Sequence, residues 1–153
     1  MAAPLGDIYI RHPEDIINCN NCLVTVATPS LIDHLEVLLK SFSLNSNSEN
    51  CQIIIFCFGD KKQFESIYEK YKVQLIFCED YDKRTFKNKT AALMCADVVN
   101  AQKYLYIDAD CLILQPIDEL FKLMDSFDDD KLFIVKEGKD NNQTLYNALK
   151  TTY

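Results

Sequence analysis

Residues 104–114 have the sequence Tyr-Leu-Tyr-Ile-Asp-Ala-Asp-Cys-Leu-Ile-Leu. The apolar run 104–107 is typical of a buried strand, and it ends abruptly at Asp108-Ala109-Asp110. A second apolar run, 111–114, predicts a short strand after the acidic pair. Where the backbone turns at a strand end, two carboxylates one residue apart can reach the same cation directly or through water. The segment therefore predicts a candidate metal site at the end of a strand.

The surroundings of the two acids favour this interpretation over an ordinary turn. Aspartate is common where strands end, so a pair of aspartates alone is weak evidence. Apolar runs flank Asp108 and Asp110 on both sides, and we expect dry surroundings in which unpaired charge is costly and a cation compensates it. A hard cation usually keeps open positions for substrate phosphates. The chemistry implied is departure or transfer of a phosphate-bearing group.

Upstream of the acids, apolar strands alternate with amphipathic helices. The strands are predicted at 22–27, 52–58, 73–78 and 103–107, and the helices at 31–42, 64–71 and 90–99. Because each strand is apolar on both faces, we predict an α/β fold with a mostly parallel central sheet and helices on both faces. The expected strand order is 3-2-1-4. This order brings Thr28 and Asp108 together at the point where strand order reverses, which is where ligands bind in such sheets.

The domain organisation is expected to be simple. A chain of 153 residues with 48% hydrophobic content can form one well-packed domain. We assign residues 1–21 to an N-terminal arm and 22–153 to the domain. Its later part is expected to contain a short helix at 117–124, a last strand at 132–135 and a helix-compatible tail.

Charge and composition argue against a nucleic-acid partner and against a membrane span. The net charge of −7 argues against nucleic acid, whose binding proteins concentrate Lys and Arg. No apolar run is long enough to cross a bilayer, and charged residues interrupt the first twenty positions, so no membrane span and no signal peptide are expected. A soluble, cytoplasmic protein fits this pattern.

Seven cysteines, mostly inside apolar runs, indicate a reducing compartment and no intrachain disulfide. The exception is the pair Cys19 and Cys22, whose spacing suits a zinc knuckle or a redox pair. No second pair of Cys or His follows at ligand spacing. We therefore favour a loop cysteine followed by a strand cysteine.

The signature around the acids resembles that of a known family. Residues 104–114, followed by Pro-Ile-Asp-Glu-Leu-Phe at 116–121, look like the core signature of the glycogenin-like glycosyltransferases, family 8 of the GT-A fold. Residues 24–28 and the helix after them resemble the family's opening strand, and the segment from residue 89 to the acids resembles its helix before the metal site. The resemblance extends over about residues 22–125 and implies a Rossmann-like GT-A nucleotide-sugar-binding domain.

The resemblance also implies an activity and a set of contacts. The activity is metal-dependent transfer of a sugar, with retention of configuration, from a nucleotide donor such as UDP-glucose to an unidentified acceptor. Asp108 and Asp110 would hold Mn²⁺ or Mg²⁺, and Lys89 would lie near the phosphates unless it is a solvated loop lysine. The residues expected to contact the donor nucleotide are Ala27, Thr28, Lys89, Asp108, Ala109 and Asp110.

Two alternatives to catalysis by a glycosyltransferase stay open. Family members are longer, and their acceptor-side half supplies a histidine to the metal site. No matching motif occurs here, so we expect that half to be missing and keep open a non-catalytic nucleotide-sugar-binding or interaction module. A lesser alternative is a phosphatase of the haloacid dehalogenase type, with Asp108 as nucleophile and Asp110 as acid. That class places its motif on the first strand, whereas three strands precede it here.

Overall fold

A single sheet of five strands organises the protein. The computed structural model describes residues 8–10, 19–46, 48–78, 88–89, 92–93 and 100–127. Within them the strands are β1 Ile8–Ile10, β2 Cys19–Ala27, β3 Cys51–Phe58, β4 Gln74–Cys78 and β5 Ala101–Tyr106. Their spatial order is β1-β4-β3-β2-β5. Strands β2 to β5 are mutually parallel, and β1 pairs antiparallel with β4. The predicted order 3-2-1-4 is confirmed, because the four predicted strands are β2, β3, β4 and β5.

The N-terminal residues contribute more to the sheet than the sequence predicted. Strand β1 adds an edge through pairs such as Ile8 with Cys78. Strand β2 begins at Cys19 rather than at the predicted residue 22. Its polar first residues are held by the backbone ladder, since Asn21 is in register with both β3 and β5. Hydrophobic patterning misses such an extension because the stabilising groups are main-chain amides and carbonyls.

Three helices whose two ends both lie within the described ranges follow the predicted order. They are α1 Ile32–Asn45, α2 Glu65–Tyr71 and α3 Asp118–Met124, with single 3₁₀ turns at Pro29–Leu31, Ser48–Asn50 and Lys61–Phe64. In α1 the buried positions recur three and four residues apart, which gives the helix one apolar face. Among the described residues, no helix is both long and apolar enough to span a membrane.

Other predicted elements are only partly covered by the described residues. Residues 92–93 of the predicted helix 90–99 are helical. The predicted strand 132–135 and the helix-compatible tail lie outside the described residues.

The core has two layers, one on each face of the sheet. Helices α1, α2 and α3 pack on the face that carries Leu23, Ile55 and Leu75. The opposite face carries Val24, Ile54 and Phe56 and is contacted by Ala92, one of the helical residues. Adjacent residues Ile54 and Ile55 are both fully buried. Burial on both faces explains why the strands are continuously apolar, and it confirms the α/β class with helical residues against both faces.

One predicted element is wrong. Residues 111–114 form no strand. The backbone N–H of Ile113 donates to Ser41 Oγ at 3.0 Å, and its carbonyl oxygen accepts from Asn45 Nδ2 at 2.9 Å. Side chains of α1 thus satisfy main-chain groups that a neighbouring strand would otherwise bond. Ile113 is buried, whereas Leu112 and Leu114 are 56% and 70% exposed.

Candidate functional site

The candidate site lies where the carboxyl ends of β2 and β5 meet. The chain winds from β2 through β3 to β4 on one side, then returns to place β5 on the other side of β2. Val24 pairs with Tyr106, and the N–H of Ile107 donates to the carbonyl oxygen of Val24 at 3.0 Å. Strand order therefore reverses between β2 and β5, and this reversal leaves a crevice for ligands beyond the strand ends.

The end of β2 supplies Ala27 and Thr28, both buried. The carbonyl oxygen of Thr28 accepts from the N–H of Leu31 at 2.9 Å and so begins the 3₁₀ turn. Its hydroxyl is 2.9 Å from Ser30 Oγ. The Thr28 side chain therefore stabilises the loop locally, while the backbone at Ala27 and Thr28 stays close to the end of β5.

A glycine allows the next loop to approach this one closely. Gly59, directly after β3, has φ +120°, a conformation that residues with a Cβ rarely adopt. A Cβ at this position would lie 2.9 Å from two ring carbons of Pro29. Glycine is thus required both by the backbone conformation and by the contact with the loop that follows β2.

The end of β5 presents the two acids on a tight turn. The N–H of Cys111 donates to the carbonyl oxygen of Asp108 at 3.1 Å, which places Ala109 and Asp110 at the centre of the turn. Ala109 is buried in the core layer that also contains Ala27. The buried alanine between the acids fixes the turn to the core, and the two carboxylates belong to the same short segment.

The expectation of dry surroundings for the acids is wrong. The side chain of Asp108 is 41% exposed, and Asp110 is exposed as well. The apolar run after them does not enclose them, because Leu112 and Leu114 are themselves exposed. The two carboxylates are partly solvated, so their negative charges do not require a cation to compensate for burial.

Two donors compensate the charge of Asp108. The Tyr106 hydroxyl donates to Asp108 Oδ1 at 2.8 Å, and Lys89 Nζ lies 2.7 Å from the same oxygen. Burial raises the pKa of Tyr106, and the hydrogen bond to Asp108 raises it further. The phenol therefore stays protonated and donates at physiological pH. The structure thus brings the predicted site residues Lys89 and Asp108 into direct contact.

Sequence reasoning missed two residues of the site. Tyr106 was assigned only to the apolar strand, although residues two apart on a strand share a face, and this spacing places it beside Asp108. Cys111 follows the acids and is exposed. Partial burial raises the pKa of its thiol, and the charges of Asp110 and Asp108 raise it further. The negative charge of the acidic turn therefore contributes to the raised pKa of both side chains.

The donor set fits a hard divalent cation shared with a ligand. Across the described ranges, no three His, Cys, Asp or Glu side chains cluster as a metal site would require. Asp108 and Asp110 offer carboxylate oxygens, which Mg²⁺ and Mn²⁺ favour, and their exposure leaves room for waters or phosphate oxygens. His34 is exposed on α1, and His12 lies outside the described residues. A closed site built from protein ligands alone is therefore not present in the described part of the chain.

Comparison with known proteins gives fold-level similarities only. No family model and no curated protein matches the sequence. The chain is similar to the apo-form glycosyltransferase GlyE of Streptococcus pneumoniae TIGR4 at 20% identity and a TM-score of 0.49, over 78% of this chain and 28% of GlyE. A second GlyE structure gives 22% identity and a TM-score of 0.49, over 69% and 27%. The chain spans less than a third of the length of these structures. Its own strand order and register define its α/β fold.

Proposed function

We propose that this chain binds the nucleotide diphosphate of a sugar donor together with a divalent cation, as the donor-binding part of a glycosyltransferase. One observation supports this most directly. Asp108 and Asp110 occupy a single turn at the strand-order reversal between β2 and β5, and Asp108 is in contact with Lys89. Carboxylates for a cation and an ammonium for phosphate at the ligand-binding edge of a parallel sheet suit a nucleotide diphosphate.

Each residue has a distinct proposed role. Asp108 and Asp110 would hold Mn²⁺ or Mg²⁺, which when bound offsets negative charge on a departing diphosphate. Lys89, whose ammonium is paired with Asp108 and whose side chain is 31% exposed, is proposed to contact a phosphate oxygen at the same edge. Ala27, Thr28 and Ala109 are proposed nucleoside contacts from the sequence resemblance alone, because all three are buried in the metal-free chain. These six are the donor-contacting residues expected from the sequence.

The identity of the donor and the course of the reaction are proposed from the sequence signature. UDP-linked sugars such as UDP-glucose are the proposed donors, and transfer is proposed to retain configuration at the sugar. Both proposals rest on the resemblance of residues 104–114 and 116–121 to the family 8 glycosyltransferases. The acceptor is unassigned.

A non-catalytic nucleotide-binding module is the second candidate. The observation that favours it is the thin donor set, since only two carboxylates at the site are present in the described part of the chain. Such a module would bind a nucleotide diphosphate with its cation and leave the sugar bond intact. Incubating the chain with UDP-glucose and Mn²⁺ and measuring released UDP tests for transfer of the sugar to water, and release of UDP supports the transferase and contradicts the module.

Calorimetric titration with UDP tests the shared core of both candidates. We expect UDP to bind in the presence of Mn²⁺ and to lose most of its affinity when EDTA removes the metal. UMP is the matched ligand control, because it keeps the nucleoside and lacks the second phosphate. Equal UDP affinity with Mn²⁺ and with EDTA would contradict metal-assisted binding. Hydrolysis of p-nitrophenyl phosphate would instead favour the phosphatase alternative.

A further inference from the structure

The oxygen atom Asp108 Oδ1 is already fully engaged by the protein. It accepts a hydrogen bond from the Tyr106 hydroxyl at 2.8 Å and lies 2.7 Å from Lys89 Nζ. A carboxylate oxygen has two lone-pair directions, and these two donors can use both. A cation approaching Asp108 therefore meets a carboxylate whose charge is partly neutralised by an ammonium within hydrogen-bonding distance.

The ammonium of Lys89 would repel a divalent cation bound to Asp108. A metal bound to Asp108 Oδ1 would lie within about 5 Å of the ammonium, and one bound to the other carboxylate oxygen within about 7 Å, since metal–oxygen bonds are about 2.0–2.2 Å for Mg²⁺-sized ions. Like charges at that separation repel strongly even when water screens part of the field. Lys89 is a long, flexible side chain that can leave Asp108, and the phosphates of a ligand at this edge would give its ammonium a new partner.

We propose that Lys89 is the counter-ion of Asp108 in the metal-free protein, and that metal binding releases its ammonium to the donor diphosphate. Lys89 then lowers the affinity for the metal alone and raises the affinity for the nucleotide once the metal is present. Metal and nucleotide are coupled with positive sign through this one side chain, and the coupling is reciprocal. The inference rests on the proposed function, because it requires the metal and the diphosphate to share this edge.

Lysine-to-methionine variants test the inference, because methionine keeps an unbranched side chain without the charge. Free Mn²⁺ measured by electron paramagnetic resonance gives the metal affinity without nucleotide, and calorimetry gives the UDP affinity at saturating Mn²⁺. Lys89→Met is expected to bind Mn²⁺ alone about two- to fivefold more tightly, the range of a partly exposed ion pair. The same variant is expected to bind UDP about three- to tenfold more weakly. Lys89→Arg, which keeps the charge, should retain the signs of the wild-type coupling.

Lys103→Met is the matched control. Lys103 also pairs with an aspartate, Asp125, and it lies on β5 five residues before Asp108, about 16 Å along the strand. Its removal changes the net charge by the same amount and should leave Mn²⁺ affinity unchanged.

The possible outcomes separate this inference from the proposed function. Unchanged or weaker Mn²⁺ binding by Lys89→Met, with UDP still dependent on Mn²⁺, would overturn the counter-ion role and leave the proposed function standing. An equal gain in Lys103→Met would also overturn it, since the effect would then be one of net charge. Absence of Mn²⁺ and UDP binding in every protein would overturn both.

Discussion

Two groups of side chains with potential metal-binding chemistry lie at opposite ends of the parallel strands. At the amino ends lie the thiols of Cys19, Cys22 and Cys51, and at the carboxyl ends lie the carboxylates of Asp108 and Asp110. Burial raises the pKa of Cys51 to about 12 and that of Cys22 still further. Such thiols stay protonated, whereas metal ligation and nucleophilic attack need the thiolate.

This contrast shows why residue type and spacing alone are ambiguous. Cys19 and Cys22 have the spacing of a zinc or redox motif, yet Cys22 is fully buried, and the described residues contain no cluster of three metal ligands. The six described cysteines are free. Asp108 and Asp110 have a weaker spacing signal but lie partly exposed on a turn at the ligand-binding edge. Exposure therefore separates the two pairs, because Cys22 lies buried within a strand, whereas the two aspartates lie on a turn beyond the end of a strand.

The largest expected effect is loss of the carboxylate at position 110. Asp110→Asn removes charge at nearly constant volume, and loss of one charge-assisted contact costs about 1.5–3 kcal/mol, or roughly ten- to hundredfold in UDP affinity with Mn²⁺. Calorimetry measures this change. Asp125→Asn is the control, because Asp125 is also exposed and lies outside the site. Similar losses in both variants would show that overall charge, and not the acidic turn, governs binding.

The close packing of loops at the carboxyl edge gives the next effect. Gly59→Ala would force a Cβ against Pro29 at φ +120°, and we expect it to lower the free energy of unfolding by about 1–3 kcal/mol. Urea denaturation measures the change. The opposite substitution at Lys72, where φ is 55°, is the control. Lys72→Gly should leave stability unchanged or raise it, and a loss in Lys72→Gly equal to that in Gly59→Ala would contradict the backbone explanation.

A smaller effect is expected from the support beneath the acidic turn. Ser41→Ala would leave the N–H of buried Ile113 without its acceptor, and we expect a loss of about 1–2 kcal/mol in unfolding free energy. Ser43→Ala is the matched control, because Ser43 Oγ bonds only within α1, to Leu39 O. If thermal denaturation gave equal losses for both serines, the bond to Ile113 would have no special role.

The sequence predicted the sheet well because strands that are buried on both faces are apolar at successive positions. Continuous apolar runs such as 53–58 are typical of strands covered by helices, and the order 3-2-1-4 then places the ends of β2 and β5 at the strand-order reversal. The conformation of 111–114 was not predictable in this way, since it depends on bonds from Ser41 and Asn45 to Ile113, about seventy residues away. Hydrophobic patterning contains no information about such long-range hydrogen bonds between side chains and the backbone.

The structure tests the surroundings of the candidate site residues, and the identity of the site residues stays a prediction. The contact between Lys89 and Asp108 agrees with the predicted grouping, whereas the exposure of the acids does not. Exposure depends on where Leu112 and Leu114 point, and an apolar run does not reveal this. Strand periodicity is consistent with Tyr106 lying on the same side as Asp108, but only the structure shows that its hydroxyl donates to Asp108.

The smallest predicted effect is a change of stability with pH that depends on the Cys51 thiol, at the amino end of β3. The folded protein holds the Cys51 proton up to a pKa of about 12, against 9.0 for an ordinary thiol. Because the folded pKa is raised, the stabilisation from this proton is complete below pH 9 and is lost as pH rises from 9 to 12. At pH 10 the loss is about 1.4 kcal/mol for one thiol, since one pH unit corresponds to 1.36 kcal/mol. Cys51→Ala lacks this proton, so its stability difference from wild type should stay constant between pH 7 and 8.5 and shrink above pH 9. Chemical denaturation at each pH measures it, and a difference that stays constant to pH 10.5 would mean that the Cys51 thiol ionises as readily in the folded chain as in the unfolded one.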